Sequence, residues 1–150
     1  TGLYGNFGQA NYGAAKLGLV GLMGSLKIEG AKNNIKINAV CPVAATRMTE
    51  GLMSEKLLEA LKPEYVTPGV MNLVKEDAPT GMILSAAAGA FSMTQIVETK
   101  GAFVGQGDAL TAEAVAAKWD EITDTATQTH FDMGGAHSQH MFGLLASAKA

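Results

Sequence analysis

Two side chains that could together move a proton stand one helical turn apart near the start of the chain, Tyr12 and Lys16. Residues at this spacing share one face of a helix. An ammonium close to a phenol favours the phenolate, and a phenol poised in this way can exchange a proton with a substrate oxygen. The lysine could also donate to the hydroxyls of a ribose. By itself the spacing favours the alternative of a packed tyrosine with a lysine stem lying beside it.

The element that must position this pair is a helix predicted over residues 10–30. Its apolar residues leave little polar face, which predicts a helix buried on several sides. Gly13, Gly18, Gly21 and Gly24 each lower helix propensity by about 1 kcal/mol, so we expect another backbone to approach the helix there. A helix packed in this way also predicts self-association.

Downstream of this helix the sequence alternates strand-like and helical segments. In chain order it predicts a strand over 35–41 ended by Pro42, an amphipathic helix over 48–61, a short helix over 68–74, a strand over 82–87, an extended segment over 91–99 and a surface helix over 111–122 capped by Thr111. Such alternation is typical of an α/β domain. Two clear core strands are too few for a parallel sheet, which is covered on both faces, so we expect the rest of the sheet to come from elsewhere.

The domain is predicted to span residues 1–122, with residues 123–150 as a mobile tail or linker. That last stretch is polar and contains glycine. This stretch contains four side chains of types that could bind a metal ion together: His130, Asp132, His137 and His140. The glycines and the lack of helical periodicity favour a solvated tail instead, so no metal site is predicted.

Composition excludes several classes of protein. The net charge of −3 gives no basis for a nucleic-acid partner, and the single cysteine, Cys41, excludes a disulfide framework. Apolar runs fall short of the roughly 18 residues of a membrane span, and no signal peptide is recognised. Only 17% of the residues are charged, against about 25% in ordinary domains, which favours surface buried against a partner. Cys41 and Trp119 are interpreted as packing residues.

The residues around Tyr12 and Lys16 indicate a protein family more specifically than the spacing of the two residues does. The stretch YGNFGQANYGAAKLGLVGLMGSLKIEGAKNNIKINAVCP strongly resembles the catalytic helix and following strand of the short-chain dehydrogenase/reductase family. Within that family, the phrases YGNFGQANY, KLGL, RMTE and EALKPEYVTP are most similar to the (3R)-hydroxyacyl-CoA dehydrogenase unit of the peroxisomal multifunctional enzyme type 2 group and its bacterial relatives. The likeness runs from Thr1 to about Ile122. It implies an α/β fold, the C-terminal half of a Rossmann-type doubly wound parallel sheet that is incomplete without an N-terminal half.

The resemblance also implies roles for five residues. Tyr12 would be the general acid/base and would also contact the cofactor, and Lys16 would tune Tyr12 and bind the cofactor ribose. Pro42, Val43 and Thr46 match the loop that touches the nicotinamide, although Val43 replaces the usual glycine and the loop is one residue shorter. Thr46 would offer its hydroxyl to the carboxamide.

The segment over 48–61 resembles the family's mobile substrate lid, whose apolar face would cover an acyl chain. A plain amphipathic helix on a core is an equal alternative for this segment.

Two parts of the family pattern are absent from the sequence. The family's catalytic serine would lie just before Thr1, and no glycine-rich turn joins a strand to a helix. The dinucleotide phosphate site is therefore expected in the N-terminal half. Because the chain also opens in a glycine-rich, loop-like stretch, we expect a fragment, a processed chain or one half of a split protein, inactive when isolated.

The resemblance implies an oxidoreductase fragment or subunit that transfers hydride between a nicotinamide cofactor and a 3-hydroxyacyl-CoA or 3-oxoacyl-CoA. The cofactor is expected to be NAD, with NADP not excluded. The expected partners are the acyl-CoA, the N-terminal half of the same fold and a second copy bound through the helix over 10–30; no nucleic acid and no membrane are expected. The expected location is cytoplasmic, or peroxisomal in a eukaryote. The alternative is a non-catalytic scaffold or partner subunit of a dehydrogenase assembly, lacking the dinucleotide phosphate site.

Overall fold

The computed structural model describes residues 1–46, 51 and 53–147, and the chain divides into two compact units, Thr1–Thr94 and Gln95–Ala150. In chain order, the first unit contains α1 (Ala10–Gly30), β1 (Ala39–Val43), α2 (Glu55–Ala60), α3 (Thr67–Val74), β2 (Ile83–Ala87) and β3 (Ala90–Thr94). The second contains β4 (Val97–Glu98), α4 (Ala112–Ala117), α5 (Trp119–Ile122), β5 (Thr129–His130) and α6 (Gly134–Ser147). Single 3-10 turns lie at Ala31–Asn33, Pro63–Tyr65, Gly107–Ala109 and Thr125–Thr127.

The first unit is built on a three-stranded sheet in the order β1-β2-β3. β1 and β2 are parallel, with Ala39 opposite Ile83. β2 and β3 are antiparallel and are joined by Ala88 and Gly89, both at positive φ. Positive φ at both central residues is the geometry of a type I′ turn, whose twist matches that of the two strands. A parallel strand pair beside helices confirms the predicted α/β class.

The limits predicted for the first strand, 35–41, are wrong, because β1 begins at Ala39 and continues through Pro42. Ala39 N donates to Met82 O at 2.9 Å, so residue 39 directs its backbone groups toward β2. Backbone groups alternate sides along a strand, which places the nitrogen of Pro42 on the opposite edge of β1. Among the described residues β1 pairs only with β2, so the missing N–H of Pro42 breaks no hydrogen bond in this sheet.

A side chain just ahead of β1 ties the sheet to its surroundings. Asn38 Nδ2 donates to Pro79 O at 2.7 Å and to Leu73 O at 3.2 Å. Its Oδ1 accepts from Met82 N at 3.0 Å. One amide therefore joins the start of β1 to α3 and to the segment that enters β2. The sequence offered no signal for this role, since asparagine near a strand end is equally typical of a turn.

The helix predicted over 10–30 is confirmed as α1, but its burial was predicted wrongly. Only Met23 and Gly30 of α1 are buried among the described residues. An apolar face stays 37 to 53% exposed, and its members are Leu19, Leu22 and Leu26. The face is open because little of this chain packs on it, so its burial requires additional protein.

The close backbone approach predicted along the glycines of α1 is found at Gly13, where a Cβ would lie 3.7 Å from Thr1 O, but not at the other three glycines among the described residues. A Cβ built at Gly18, Gly21 or Gly24 would meet no described atom within 4 Å. These glycines therefore leave a smooth, open helix face, and any partner for it lies outside the described residues.

The helix predicted over 48–61 is shorter in the structure, because α2 begins only at Glu55. Ser54 has extended backbone and its side chain accepts from Leu57 N, which makes it the residue that caps the helix start. Residues 48–50 and 52 lie outside the described residues.

The next two elements agree with the sequence patterns. The helix predicted over 68–74 is confirmed as α3, with Pro68 in its first turn. The strand predicted over 82–87 is confirmed as β2, which starts one residue later. The extended segment predicted over 91–99 is two strands, β3 and β4, which belong to different sheets.

In the second unit, the surface helix predicted over 111–122 is interrupted at Lys118 and forms α4 and α5. The predicted cap is confirmed, because Thr111 Oγ1 accepts from Ala114 N at 3.1 Å. β4 pairs antiparallel with β5, with Val97 opposite His130.

The mobile tail predicted over 123–150 is wrong for residues 134–147, which form α6. Glycines lower the helix propensity of this stretch, but tertiary contacts outweigh propensity once a helix face is anchored. The domain limits 1–122 and 123–150 stay a prediction; the division between the two compact units falls between Thr94 and Gln95. None of the helices in the described residues is long and apolar enough to cross a bilayer.

Candidate active site

Tyr12 and Lys16 lie in the first two turns of α1, and their side chains meet. Lys16 Nζ is 5.3 Å from the centre of the Tyr12 ring, within cation–π range. Both residues are exposed, and Tyr12 keeps 49% of its surface accessible. The packed-core alternative is therefore not what this chain forms. The pair presents a hydroxyl and an ammonium on an open helix face, where a ligand could reach both.

The loop ahead of α1 is closed by hydrogen bonds at its two ends. Thr1 Oγ1 donates to Gln9 Oε1 at 2.5 Å, and Asn6 Nδ2 donates to the same oxygen at 3.4 Å. Gly5 N donates to Thr1 O at 2.8 Å. The loop thus folds back on the start of the helix that carries Tyr12. Sequence reasoning assigned no role to Gln9, and the only available signal was its place directly before the helix.

The three residues predicted to touch the nicotinamide lie at and after the carboxyl end of β1. Pro42 and Val43 belong to the strand itself and not to a loop, and both are exposed. Thr46 is exposed in the segment that follows. That segment is tied to the end of α2, because Ala45 N donates to Leu61 O at 2.7 Å. That Pro42, Val43 and Thr46 form one site with Tyr12 stays a prediction.

The direction of α1 supports the prediction that Tyr12 lies at the same edge of the sheet as Pro42, Val43 and Thr46. Near its end, Lys27 lies against the segment entering β2, since a Cβ at Gly81 would lie 2.7 Å from Lys27 Cδ. The carboxyl end of α1 is therefore at the amino end of β2. In a strand–helix unit the helix runs antiparallel to the strands, which directs the amino end of α1 toward their carboxyl ends. Open α/β sheets bind their ligands at that edge.

The segment predicted as a lid is only partly described. In α2, Leu57 is 44% exposed, whereas Leu61 just after the helix is buried. An exposed leucine within the helix and a buried leucine just after it fit both a lid and a plain amphipathic helix.

A cavity of about 420 Å³ opens in the first unit between α3 and the β2–β3 hairpin. Its lining includes Gly69, Asn72, Leu84 and Phe91. None of the predicted site residues lines it, so it is separate from the tyrosine–lysine pair.

The histidines of the second unit do not lie in a solvated tail, contrary to the prediction. Each has a ring nitrogen within hydrogen-bond distance of the segment 96–100: His130 Nδ1 at 2.9 Å from Ile96 O, His137 Nε2 at 3.1 Å from Glu98 Oε2 and His140 Nε2 at 2.8 Å from Lys100 O. His130 Nε2 also lies 3.3 Å from Asp132 Oδ1. Among the described residues no three potential ligands could hold a metal ion. These contacts anchor β5 and α6.

Cys41 and Trp119, the two residues interpreted as packing residues, differ in the structure. Cys41 is half-buried in β1, in keeping with a small apolar side chain. Trp119 is 56% exposed at the start of α5, so it does not pack as predicted within the described residues.

A family model for short chain dehydrogenases matches residues 1–57, which include the tyrosine, the lysine and β1. The chain therefore contains part of a short-chain dehydrogenase/reductase domain, and members of this family of oxidoreductases typically use a nicotinamide cofactor. The α/β sheet described above is accordingly part of a Rossmann-type fold.

Three named relatives show which members of the family this chain resembles. Peroxisomal multifunctional enzyme type 2 of Mus musculus is 48% identical over 126 residues, which are 83% of this chain and 17% of that protein. Peroxisomal hydratase-dehydrogenase-epimerase of Saccharomyces cerevisiae is 45% identical over 126 residues, 83% of this chain and 14% of that protein. The solved structure of full-length peroxisomal multifunctional enzyme type 2 from Drosophila melanogaster superposes with a TM-score of 0.84 at 35% identity, covering 97% of this chain and 27% of that one. The chain spans less than a third of each of these relatives.

Proposed function

We propose that this chain forms the half of a dehydrogenase domain that carries the catalytic helix, and that the domain transfers hydride between a nicotinamide cofactor and a 3-hydroxyacyl-CoA or 3-oxoacyl-CoA. The observation that carries the proposal is the Lys16 ammonium 5.3 Å from the centre of the Tyr12 ring on an exposed helix face. The sequence resemblance to (3R)-hydroxyacyl-CoA dehydrogenases supports the substrate class. The yeast relative, named as a dehydrogenase, supports the reaction class.

Tyr12 is the proposed general acid/base. In the oxidation direction, its phenolate oxygen takes the proton of the substrate 3-hydroxyl, and in the reduction direction its hydroxyl returns that proton to the 3-oxo oxygen. Lys16 is the proposed electrostatic partner of this phenol, with its ammonium 5.3 Å from the centre of the ring. The nicotinamide, when bound, supplies or accepts the hydride at the substrate carbon.

The residues present fit the ribose end of such a cofactor. Lys16 offers up to three donors and Tyr12 one hydroxyl on the same open face, which suits the two hydroxyls of a ribose. Among the described residues no glycine-rich turn joins a strand to a helix N-terminus, so the pyrophosphate would be held by the other half of the domain. Pro42, Val43 and Thr46 would hold the nicotinamide and its carboxamide. We propose NAD, with NADP as the other possible cofactor, because the residue that sorts them is expected in that other half.

Two protein partners are part of the proposal. The first is the N-terminal half of the same fold, because β1 lies at the sheet edge with one side unpaired among the described residues, and parallel sheets are covered and extended by neighbouring strands. The second is another copy of the chain, bound through the exposed apolar face Leu19, Leu22 and Leu26 of α1. An acyl-CoA is the proposed small-molecule partner. The proposed location is peroxisomal in a eukaryote, as the names of the mouse and yeast relatives indicate for those proteins, and cytoplasmic in a bacterium.

The decisive experiment assays hydride transfer by the complete domain with a (3R)-hydroxyacyl-CoA, its (3S) isomer and a short-chain alcohol, following nicotinamide absorbance. We expect turnover of the (3R)-thioester with NAD or NADP. Equal turnover of the simple alcohol would overturn the substrate class. Absence of all turnover in a folded complete domain would favour the alternative, a non-catalytic subunit of a dehydrogenase assembly.

A second experiment addresses the isolated chain. Because the pyrophosphate site is proposed to lie in the other half, titration of the isolated chain with NAD should give no measurable binding. Tight binding would contradict that placement.

A further inference from the structure

The loop ahead of α1 touches the helix at the lysine of the site. A Cβ built at Gly2 would lie 2.8 Å from Lys16 Cβ and 3.0 Å from Leu17 N. Real Cβ atoms essentially never come as close as 2.8 Å to another atom, and neither Lys16 Cβ nor Leu17 N can move without moving the helix or the loop. A side chain at position 2 would therefore force the loop or the helix to shift.

The contact is specific to this position. Gly13 lies in the same loop–helix contact, and its Cβ would stand 3.6 Å from Thr1 Cγ2, an ordinary packing distance. Farther along the helix, a Cβ at Gly18 would meet nothing within 4 Å. Of these three glycines, only Gly2 has its α-carbon pressed against the stem of the lysine.

We propose that Gly2 is a positioning residue for Lys16: its bare α-carbon lets the loop pack against the lysine stem and so directs the ammonium toward the Tyr12 ring and the cofactor ribose. The inference rests on the proposed function of Lys16. The loop is held in place by the Thr1 Oγ1–Gln9 Oε1 hydrogen bond, so Gln9 contributes to the same positioning. A side chain at position 2 would push the loop away or turn the lysine stem, and the ammonium would lose its fixed place.

The test compares Gly2→Ala with Gly13→Ala in the complete protein. For Gly2→Ala we expect weaker binding of the reduced cofactor, measured by its fluorescence, by up to about 100-fold, the loss expected when a hydrogen bond from a charged group is removed. The pH dependence of kcat should shift as well, because the charge beside the phenol has moved. Gly13→Ala adds the same methyl where it fits and should leave cofactor binding and the pH profile unchanged.

A double-mutant cycle with Lys16→Ala separates positioning from a general structural role. If Gly2 acts through the ammonium, Gly2→Ala should have no further effect on cofactor binding once the ammonium is gone. Equal, additive losses in both backgrounds would overturn the proposal. So would a Gly2→Ala protein with a lower Tm but unchanged cofactor binding.

The outcomes also separate this inference from the function on which it rests. If Lys16→Ala leaves cofactor binding unchanged, the proposed function of Lys16 fails. If Lys16→Ala weakens binding and Gly2→Ala does not, only the positioning role fails. Should Gly2→Ala not fold, Gln9→Ala decides the question, since it frees the loop without adding bulk. It should weaken cofactor binding in the same direction by a smaller factor, and unchanged binding would overturn the proposal.

Discussion

The ammonium of Lys16 lies 5.3 Å from the centre of the Tyr12 ring, one helical turn along α1. Both side chains are open to solvent, although the helix around them is largely apolar. A cation over the face of an aromatic ring is attracted by the negative charge of that face. The contact therefore holds the ammonium beside the phenol, and both side chains are open to a ligand.

Tyr12→Phe removes the hydroxyl and keeps the ring beneath the ammonium. We expect kcat of the complete domain to fall by about 10²- to 10⁴-fold, the usual contribution of a general acid/base, and cofactor binding to weaken by no more than about tenfold, the contribution of one neutral hydrogen bond. Steady-state kinetics with a (3R)-hydroxyacyl-CoA would measure it. The matched control is Tyr65→Phe, which removes a phenol from a 3-10 turn outside the site. Full activity of Tyr12→Phe would exclude the proposed proton transfer.

Lys16→Met keeps the stem and removes the charge. Because a hydrogen bond to a charged group contributes about 1.5–3 kcal/mol, we expect KM for the cofactor to rise about 10- to 100-fold, together with a lower kcat. Lys32→Met, which removes an exposed lysine just beyond α1, is the control. A Lys16→Met enzyme with a normal cofactor KM would show that this lysine does not bind the ribose.

Asn38→Ala should destabilise the first unit by about 1–3 kcal/mol, because it leaves Met82 N and the carbonyls of Leu73 and Pro79 without their partner. Urea unfolding of the complete domain would measure the loss. Asn38→Asp keeps the acceptor for Met82 N but sets a carboxylate against two carbonyls, so it should cost at least as much. If Asn38→Asp were as stable as the wild type, the donor role of the amide would be wrong.

Leu22→Glu places a charge in the middle of the exposed apolar face of α1. If a second copy covers this face, burying the unpaired charge would weaken association strongly, and light scattering at micromolar concentration should report a lower mass. The stability of the monomer should change by less than about 0.5 kcal/mol, because the residue is exposed within the chain. Met71→Glu, an exposed apolar residue of α3, is the control. An unchanged mass for Leu22→Glu would place the interface elsewhere.

Local patterns were enough to predict several elements and the chemistry-bearing pair. The elements predicted correctly depend on periodicity and on hydrogen bonds between residues close together in the sequence. They are α1, α3, β2 and the Thr111 cap. The facing of Tyr12 and Lys16 follows from helix geometry once α1 forms.

The errors have a different origin, because each depends on distant contacts. Pro42 enters β1 only because that strand has an edge where its missing N–H costs nothing. Residues 134–147 form α6 despite their glycines because the segment 96–100 binds histidines brought to it by the fold. The burial predicted for α1 assumed protein that the described chain does not contain.

What the sequence by itself determined is the family, the helix that carries Tyr12 and Lys16, and the spacing that lets them meet, since all three depend on residue order within a few turns. Only the tertiary structure decided that the pair is open to a ligand, that Gly2 presses on the lysine stem, and that Asn38 joins three segments. These relationships link residues far apart in the chain or in different elements. Their energies depend on which atoms the fold places within a few ångströms, and no local pattern encodes that.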